Sequence, residues 1–285
     1  MAFEAFNKQA WRDHGDDPQV VGDRLESGLG LITSSEDILK FCRLTSHVCG
    51  EHLANWKLGI DLLEKAKALS VNNDESMKTA HRNILSFKVA SNAEKIKFES
   101  ISDEVFALAN AASMLCACKQ YELCQSYLRN AAIMAEKLDP KDSAHKSIAI
   151  AGNNIAVHLE ELVARRQADK ELMIFASRIG RKHWELAGTW VEIERAEYRL
   201  SQSYLQAKDF AKSLQHAENC LSICQKNSAE PIEFFFAYQA KALALKSKGD
   251  LQNTSAAIES AKNYFEKLSP DDKTWSEPSL KKLIF

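Results

Sequence analysis

Glycine and proline are scarce in this chain of 285 residues, which has only 10 glycines and 5 prolines. So few chain breakers disfavour a turn-rich all-β protein and favour long helices joined by short connections. The sequence also lacks alternating apolar and polar runs bounded by hairpin turns, so strands are not expected. The composition therefore predicts an all-α fold.

A strong charge of one sign and long apolar runs are also lacking. The chain has 37 basic and 39 acidic residues and a formal net charge of −2, which gives no general attraction to nucleic acid or anionic membranes. No stretch approaches the roughly 20 apolar residues of a membrane span, and the first residues lack the apolar core of a secretory signal. We expect a cytoplasmic protein without nucleic-acid or membrane partners.

The seven cysteines do not form a Cys-x-x-Cys pair, so neither a redox motif nor a zinc site is indicated by their spacing. They fall on apolar faces of expected helices. Free cysteine is among the most buried residue types, and in a reducing compartment it stays a thiol. We expect the cysteines to be small apolar residues of a reduced core.

Catalytic sequence motifs are missing as well. The chain has no His-Glu-x-x-His, no glycine-rich phosphate loop and no Gly-x-Ser-x-Gly elbow. His14 is expected to lie in a capped turn, and His47 and His52, five residues apart, to diverge on a helix. The Glu160-Glu161 pair fits a solvated face. The sequence predicts no enzyme, no catalytic residue, no metal site and no cofactor.

What the chain does contain is a pattern that occurs twice, over 198–221 and over 238–261. Each copy reads as two amphipathic helices joined by a tight polar turn. Phe210 and Leu251, the apolar residues that follow the two turns, stand 41 residues apart (251 − 210). A fixed period of this size indicates a helical repeat array, in which no unit buries its apolar face alone.

The copies resemble the tetratricopeptide repeat, a helix–turn–helix of about 34 residues with small residues at fixed sites. The segment 150–156 is similar to the longer variety, of about 40 residues, that kinesin-light-chain-type arrays contain. The resemblance covers about 100–268 well and 36–70 weakly. It implies a right-handed solenoid of antiparallel helix pairs. The matching positions are Leu200, Ser201 and Tyr204 in a first helix, and Ser213, Ala217 and Cys220 in a second.

Caps and breakers divide the chain into fourteen expected helices and three regions. An N-terminal helical region, 1–100, contains one degenerate repeat (36–70) and extra helices. A repeat array follows over 101–268, and a C-terminal cap helix over 269–285. The expected helices span 3–13, 17–32, 36–54, 56–70, 75–98, 102–117, 120–138, 143–164, 167–184, 187–207, 209–226, 231–247, 250–268 and 276–283.

In tetratricopeptide arrays the first helices line a concave groove that holds the ligand. The resemblance therefore implies a set of groove residues on this chain. Asparagine suits such a groove because its amide both donates to and accepts from a peptide backbone. The implied positions are Asn110 with the neighbouring Ser113, Asn153, Asn154, Arg195, Tyr198, Arg199, Gln202, Gln239 and Lys246.

The charge of the ligand follows from two of these residues. Arg195 and Arg199 lie four apart on one helix, a spacing at which like charges repel, and guanidinium groups bind carboxylates through paired hydrogen bonds. An acidic ligand would offset the repulsion. The alternative is that Glu192 or Glu194 pairs with the arginines, or that these glutamates belong to a solvated face.

Two functions remain open for such an array. The first is a non-catalytic scaffold that binds a peptide or partner helix in the groove. The second is a regulator whose superhelix changes shape when a peptide or small ligand binds. Among Phe234, Phe235 and Phe236, we expect two in the core and at least one at the groove or a neighbouring helix. The sequence leaves the oligomeric state open.

Overall fold

A computed structural model of the protein describes residues 2–70 and 75–283. Those residues form fourteen α-helices and one π-helical segment, without a strand, which confirms the all-α prediction. None of these helices combines the length and apolarity needed to cross a membrane. The α-helices are α1 (Ala2–Asp13), α2 (Pro18–Leu29), α3 (Ser35–Thr45), α4 (Trp56–Ala68), α5 (Glu75–Ala90), α6 (Ile101–Ala117), α7 (Tyr121–Ala135), α8 (Ala144–Glu160), α9 (Gln167–Ala187), α10 (Trp190–Gln206), α11 (Phe210–Asn227), α12 (Pro231–Lys248), α13 (Leu251–Phe265) and α14 (Pro270–Lys281).

Capping residues explain where most of these helices begin and end. Asp17 accepts a hydrogen bond from the Val20 N–H, with Pro18 at the first helical position of α2. Asp209 caps α11 in the same way, and Gly249 ends α12 at a φ of +81°, a conformation that glycine adopts without strain. Because these signals are local, the sequence locates most boundaries to within a few residues.

Besides the end of α3, two helix boundaries differ from the expected ones by six residues or more. The helix expected over 75–98 ends at Ala90, and Asn92 then adopts a left-handed φ of 53°. The helix expected over 276–283 begins at Pro270, because the Ser269 side chain accepts a hydrogen bond from the Asp272 N–H. A serine followed by proline is an N-terminal cap signal, and the expected start at 276 is wrong because it overlooks this signal.

The helix expected over 36–54 changes from α-helical to π-helical hydrogen bonding near its middle. α3 ends at Thr45, and Ser46–His52 continues as a π-helical segment. The wider turn, with hydrogen bonds from residue i to i+5, brings the Nε2 atoms of His47 and His52 to 3.1 Å. The expectation that these two histidines diverge is wrong, because it assumes a regular α-helix.

The chain forms two compact units, which meet in sequence between Ala151 and Gly152. In the first unit, one core of buried residues runs from Phe3 through Phe41 and Phe87 to Met114. The boundary expected near residue 100 therefore lies within this core.

In the second unit, α9 packs on α10, α10 on α11, α11 on α12 and α12 on α13. α12 also packs directly on α10. Sequential packing of neighbouring helices is the arrangement of a helical repeat.

Small residues lie where these helices approach closely. The Ser201 Oγ on α10 donates to the Ser213 carbonyl on α11 at 2.9 Å, and both Ala217 and Ala261 are fully buried. A Cβ on Gly152 would lie 2.6 Å from the Ala176 carbonyl oxygen, so α8 and α9 touch backbone to backbone. The repeated small residues thus have a packing role.

Ala217→Leu is expected to destabilise the protein by about 1–3 kcal/mol, because the added side chain overpacks a filled core. A denaturant or thermal melt measures the change. Ala211→Leu is the matched control, since Ala211 lies on the same helix and is exposed. Equal melts for the two variants would contradict the packing role of the Ala217 site.

Candidate ligand-binding pocket

The second unit contains a pocket of about 290 Å³ between α10 and α12. α8 contributes one residue to its wall and α14 another. Four of the predicted groove residues line it, namely Asn153, Arg195, Tyr198 and Arg199. Five further residues line it that are not among the implied groove positions: Glu194, Ile232, Glu233, Phe236 and Trp275.

A row of three aromatic rings forms the apolar part of the pocket. The Tyr198 and Phe236 ring centroids lie 5.7 Å apart, and Phe236 and Trp275 lie 5.4 Å apart, both edge to face, which is a favourable geometry. Trp275 remains 69% exposed. The row therefore ends in a ring that has apolar surface left to cover.

The three adjacent phenylalanines of α12 have different environments. Phe235 is fully buried, Phe234 stacks on Tyr264 with 4.7 Å between centroids, and Phe236 lines the pocket. Phe234 and Phe235 thus pack against neighbouring helices and Phe236 faces the candidate groove, as the sequence predicts.

Arg195 is held by a carboxylate from the next helix pair. Its Nε lies 3.2 and 3.3 Å from the two carboxylate oxygens of Glu233, and its Nη2 also donates to Glu233. The hydrogen bond to Glu233 raises the pKa of Arg195 further above its usual range. The bond is bidentate, the strongest form of this contact.

Arg199 is held from the opposite side, by α8. Its Nη1 donates to Glu160, its Nε donates to Asn153 Oδ1 at 3.4 Å, and the Ser203 Oγ donates to Glu160 Oε1 at 2.6 Å. The Glu160 side chain is only 9% exposed, and burial raises its pKa. The expectation that Glu160 belongs to a solvated face is wrong, although Glu161 beside it is exposed.

Glu194 is the least expected member of the pocket wall. It is 1% exposed, and its Oε1 has no hydrogen-bond partner among the described residues. Burial, followed by the negative charge of Glu233, raises its pKa to about 8. Glu194 therefore does not lie on a solvated face, and that expectation is wrong. The salt bridge of Arg195 is made with Glu233.

The sequence does contain a signal for these pairings. Arg195 and Glu233 are 38 residues apart, and Arg199 and Glu160 are 39 apart. Tyr198, whose hydroxyl donates to Gln239 Oε1 at 3.2 Å, is 41 residues from it. Each separation is close to the repeat period, so side chains at equivalent sites of adjacent repeats meet.

Four other predicted residues of the second unit do not line the pocket. Gln239 is buried, and its amide donates to the Ser279 carbonyl at 3.5 Å. Gln202 is half-buried, and its Nε2 has no partner among the described residues. Asn154 and Lys246 are exposed.

Asn110 and Ser113 belong to the first unit. The Asn110 amide donates to the Phe106 carbonyl of its own helix at 2.9 Å. Ser113 is buried and donates to Glu51 Oε1 at 2.8 Å. Both side chains therefore make internal contacts.

No protein-family model matches the chain, and no curated protein is significantly similar to it. The resemblance to tetratricopeptide repeats therefore rests on the residues themselves and stays a prediction.

Proposed function

We propose that this chain is a non-catalytic binding scaffold whose second unit holds part of a partner polypeptide in the pocket between α10 and α12. The observation that carries the proposal is that a row of aromatic rings and a buried polar atom without a hydrogen-bond partner line the same pocket. The row ends at the exposed ring of Trp275, and Glu194 Oε1 in the same wall has no partner among the described residues.

Recognition by this pocket would combine an apolar anchor with one hydrogen bond. An apolar or aromatic side chain of the partner would cover Phe236 and Trp275, because buried aromatic contacts dominate interface energetics. A polar group on the partner would hydrogen-bond to Glu194, whose raised pKa keeps the carboxyl protonated near neutral pH and able both to donate and to accept, since an unpaired buried polar atom costs about 1–3 kcal/mol. The amide of Asn153 could bind the partner's backbone.

The charge of the partner is a separate part of the proposal. An acidic partner stays a prediction, but the repulsion that motivates it is already offset, because Arg195 and Arg199 each bind a carboxylate. The arrangement of the pocket favours a partner that brings an apolar side chain and a hydrogen-bonding group over one that brings only negative charge.

The architecture that we propose for the second unit is a right-handed, tetratricopeptide-like stack of helix pairs. Its support is the sequential packing of α9 to α13 and the small residues at their contacts. A cytoplasmic location is part of the same proposal. The seven cysteines are all free and six of them are buried, as expected of a protein kept in a reducing compartment.

Selection of peptides from a displayed random library on the full-length protein tests the scaffold function. Peptides that bind the parent are expected to bind Trp275→Ala at least about tenfold more weakly, because loss of an interface hot-spot residue costs about 2 kcal/mol or more and about 1.4 kcal/mol is a factor of ten. Leu251→Ala is the matched control, since Leu251 is an exposed apolar residue of the same unit, 74% accessible, outside the pocket lining.

The outcome that contradicts the scaffold proposal is equally specific. Selected peptides that bind the parent and Trp275→Ala equally well would show that the pocket does not bind them. A selection that yields no binding peptide would contradict the proposal that this unit is a binding scaffold.

A ligand sensor is the second candidate, because the volume of about 290 Å³ is at the lower end of small-molecule pockets. A small molecule that binds the native state raises the melting temperature by mass action. Stabilisation of the parent by a small molecule, lost in Trp275→Ala, would favour the sensor. Binding of peptides alone would favour the scaffold.

A further inference from the structure

Three histidines meet on the surface of the first unit. One ring nitrogen from each of His14, His47 and His52 lies within 4.8 Å of the others. The ring centroids are between 4.7 and 5.2 Å apart. The Nε2 atoms of His47 and His52 are the closest pair, at 3.1 Å.

The local backbone creates this cluster. His14 lies in the turn that follows α1, and the other two histidines lie in the π-helical segment Ser46–His52. An α-helix would separate residues five apart around its axis, whereas the π-helical turn places them side by side. π-helical turns are rare and occur frequently at functional sites.

Two of the three rings are oriented by hydrogen bonds through their other nitrogen. His14 Nδ1 lies 2.7 Å from the Trp11 carbonyl oxygen, and His47 Nδ1 lies 2.6 Å from Glu51 Oε2. Because both partners only accept, each Nδ1 carries the proton and each Nε2 keeps its lone pair. Histidines that bind metals are typically held by such bonds to a carbonyl or carboxylate.

Glu51 is itself fixed in place. Its second oxygen accepts a hydrogen bond from the Ser113 Oγ at 2.8 Å, so the carboxylate bridges α6 and the π-helical segment. The Trp11 ring stacks on His47 with 5.0 Å between centroids. Glu51 and Trp11 therefore both fix the orientation of the His47 ring.

We propose that His14, His47 and His52 bind a divalent zinc ion through their imidazole nitrogens, with Glu51 as a positioning residue. Zn–N bonds of about 2.0–2.1 Å in a tetrahedron place neighbouring nitrogens about 3.3–3.4 Å apart. The 3.1 Å between the His47 and His52 nitrogens is close to this value. A His14 ring nitrogen lies within 4.8 Å of the other two and would move closer to them when the ion binds.

The chemistry of the cluster favours this class of ion. Imidazole nitrogen suits zinc and its late transition-metal neighbours, whereas magnesium and calcium prefer oxygen. Because His52 is exposed, the fourth coordination position faces solvent and can take a water molecule or a group from a partner. The ion would join the turn after α1 to the π-helical segment and so stabilise the first unit.

Zinc binding to the full-length chain, with any affinity tag removed and metal stripped by a chelator, tests the proposal. Competition with a chromophoric chelator is expected to show one zinc per chain. His47→Gln and His52→Gln are each expected to weaken binding at least about tenfold, and Glu51→Gln by about 10- to 100-fold. His81→Gln is the matched control, a half-buried histidine of the same unit outside the cluster.

Failure of the parent to bind zinc at low micromolar concentrations would overturn the proposal, as would equal binding by the parent and both histidine variants. X-ray absorption on the zinc-loaded parent gives an answer that needs no variant. Nitrogen ligands at about 2.0–2.1 Å are expected, and sulfur at about 2.3 Å would overturn the site by assigning the ion to cysteine thiolates.

Discussion

Glu160→Ala is expected to lower the free energy of unfolding by about 3–5 kcal/mol, because it leaves a partly buried guanidinium without its carboxylate. The Arg199 side chain is 21% exposed and its only salt bridge among the described residues is with Glu160. The same substitution removes the acceptor of the Ser203 hydroxyl. Denaturant titration of the parent and the variant measures the difference.

Glu161→Ala is the matched control for that measurement. Glu161 is the next residue in sequence and is exposed, so its removal should change stability by no more than about 0.5 kcal/mol. A Glu160→Ala variant as stable as Glu161→Ala would show that the carboxylate does not hold Arg199 in the pocket wall.

Raising the pH from 4.5 to above 8 is expected to remove stability that depends on Glu194. Its pKa is raised from an ordinary value of 4.5 to about 8 in the folded chain. Below pH 4.5 the carboxyl is protonated in both states, and between the two values only the folded state holds the proton. The stabilisation is therefore complete at low pH and is lost as pH rises through about 8, by an amount on the order of 3–5 kcal/mol.

Glu194→Gln is expected to flatten this pH dependence, because glutamine has the shape of the protonated carboxyl and does not ionise. Unfolding titrations at about pH 5 and pH 9 should show that the free energy of unfolding of the variant, relative to that of the parent, is greater at the higher pH. Glu259→Gln, at an exposed site of the same unit, controls for the loss of one surface charge. Parallel pH profiles for the parent and Glu194→Gln would contradict the buried, protonated state of Glu194.

The helices of this protein could be predicted from its sequence because their signals are local. Cap residues such as Asp17 and Asp209, and the glycine at position 249, each act within one helical turn of their own position. The π-helical segment could not be predicted in this way. No residue in Ser46–His52 marks a change of helix type, so the cluster of His47 and His52 emerges only in the folded chain.

The pocket could be predicted in part. Arg195 and Arg199 follow from the resemblance to a known repeat, but their partners, Glu233 and Glu160, come from neighbouring repeats and lie almost forty residues away. Local sequence patterns therefore predict a solvated Glu160. Trp275 escapes prediction for a different reason, since the helix start expected at 276 excludes it from α14.

The central claim is that a partner polypeptide binds in the pocket lined by Tyr198, Phe236 and Trp275. Photo-crosslinking tests it most directly, with a library-selected peptide whose apolar anchor is replaced by a photoreactive aromatic residue. Mass spectrometry is expected to locate the crosslinks on α10, α12 and α14, with the signal lost in Trp275→Ala. Crosslinks confined to the first unit or to the exposed residues of α11 and α13, and unchanged in that variant, would contradict the account.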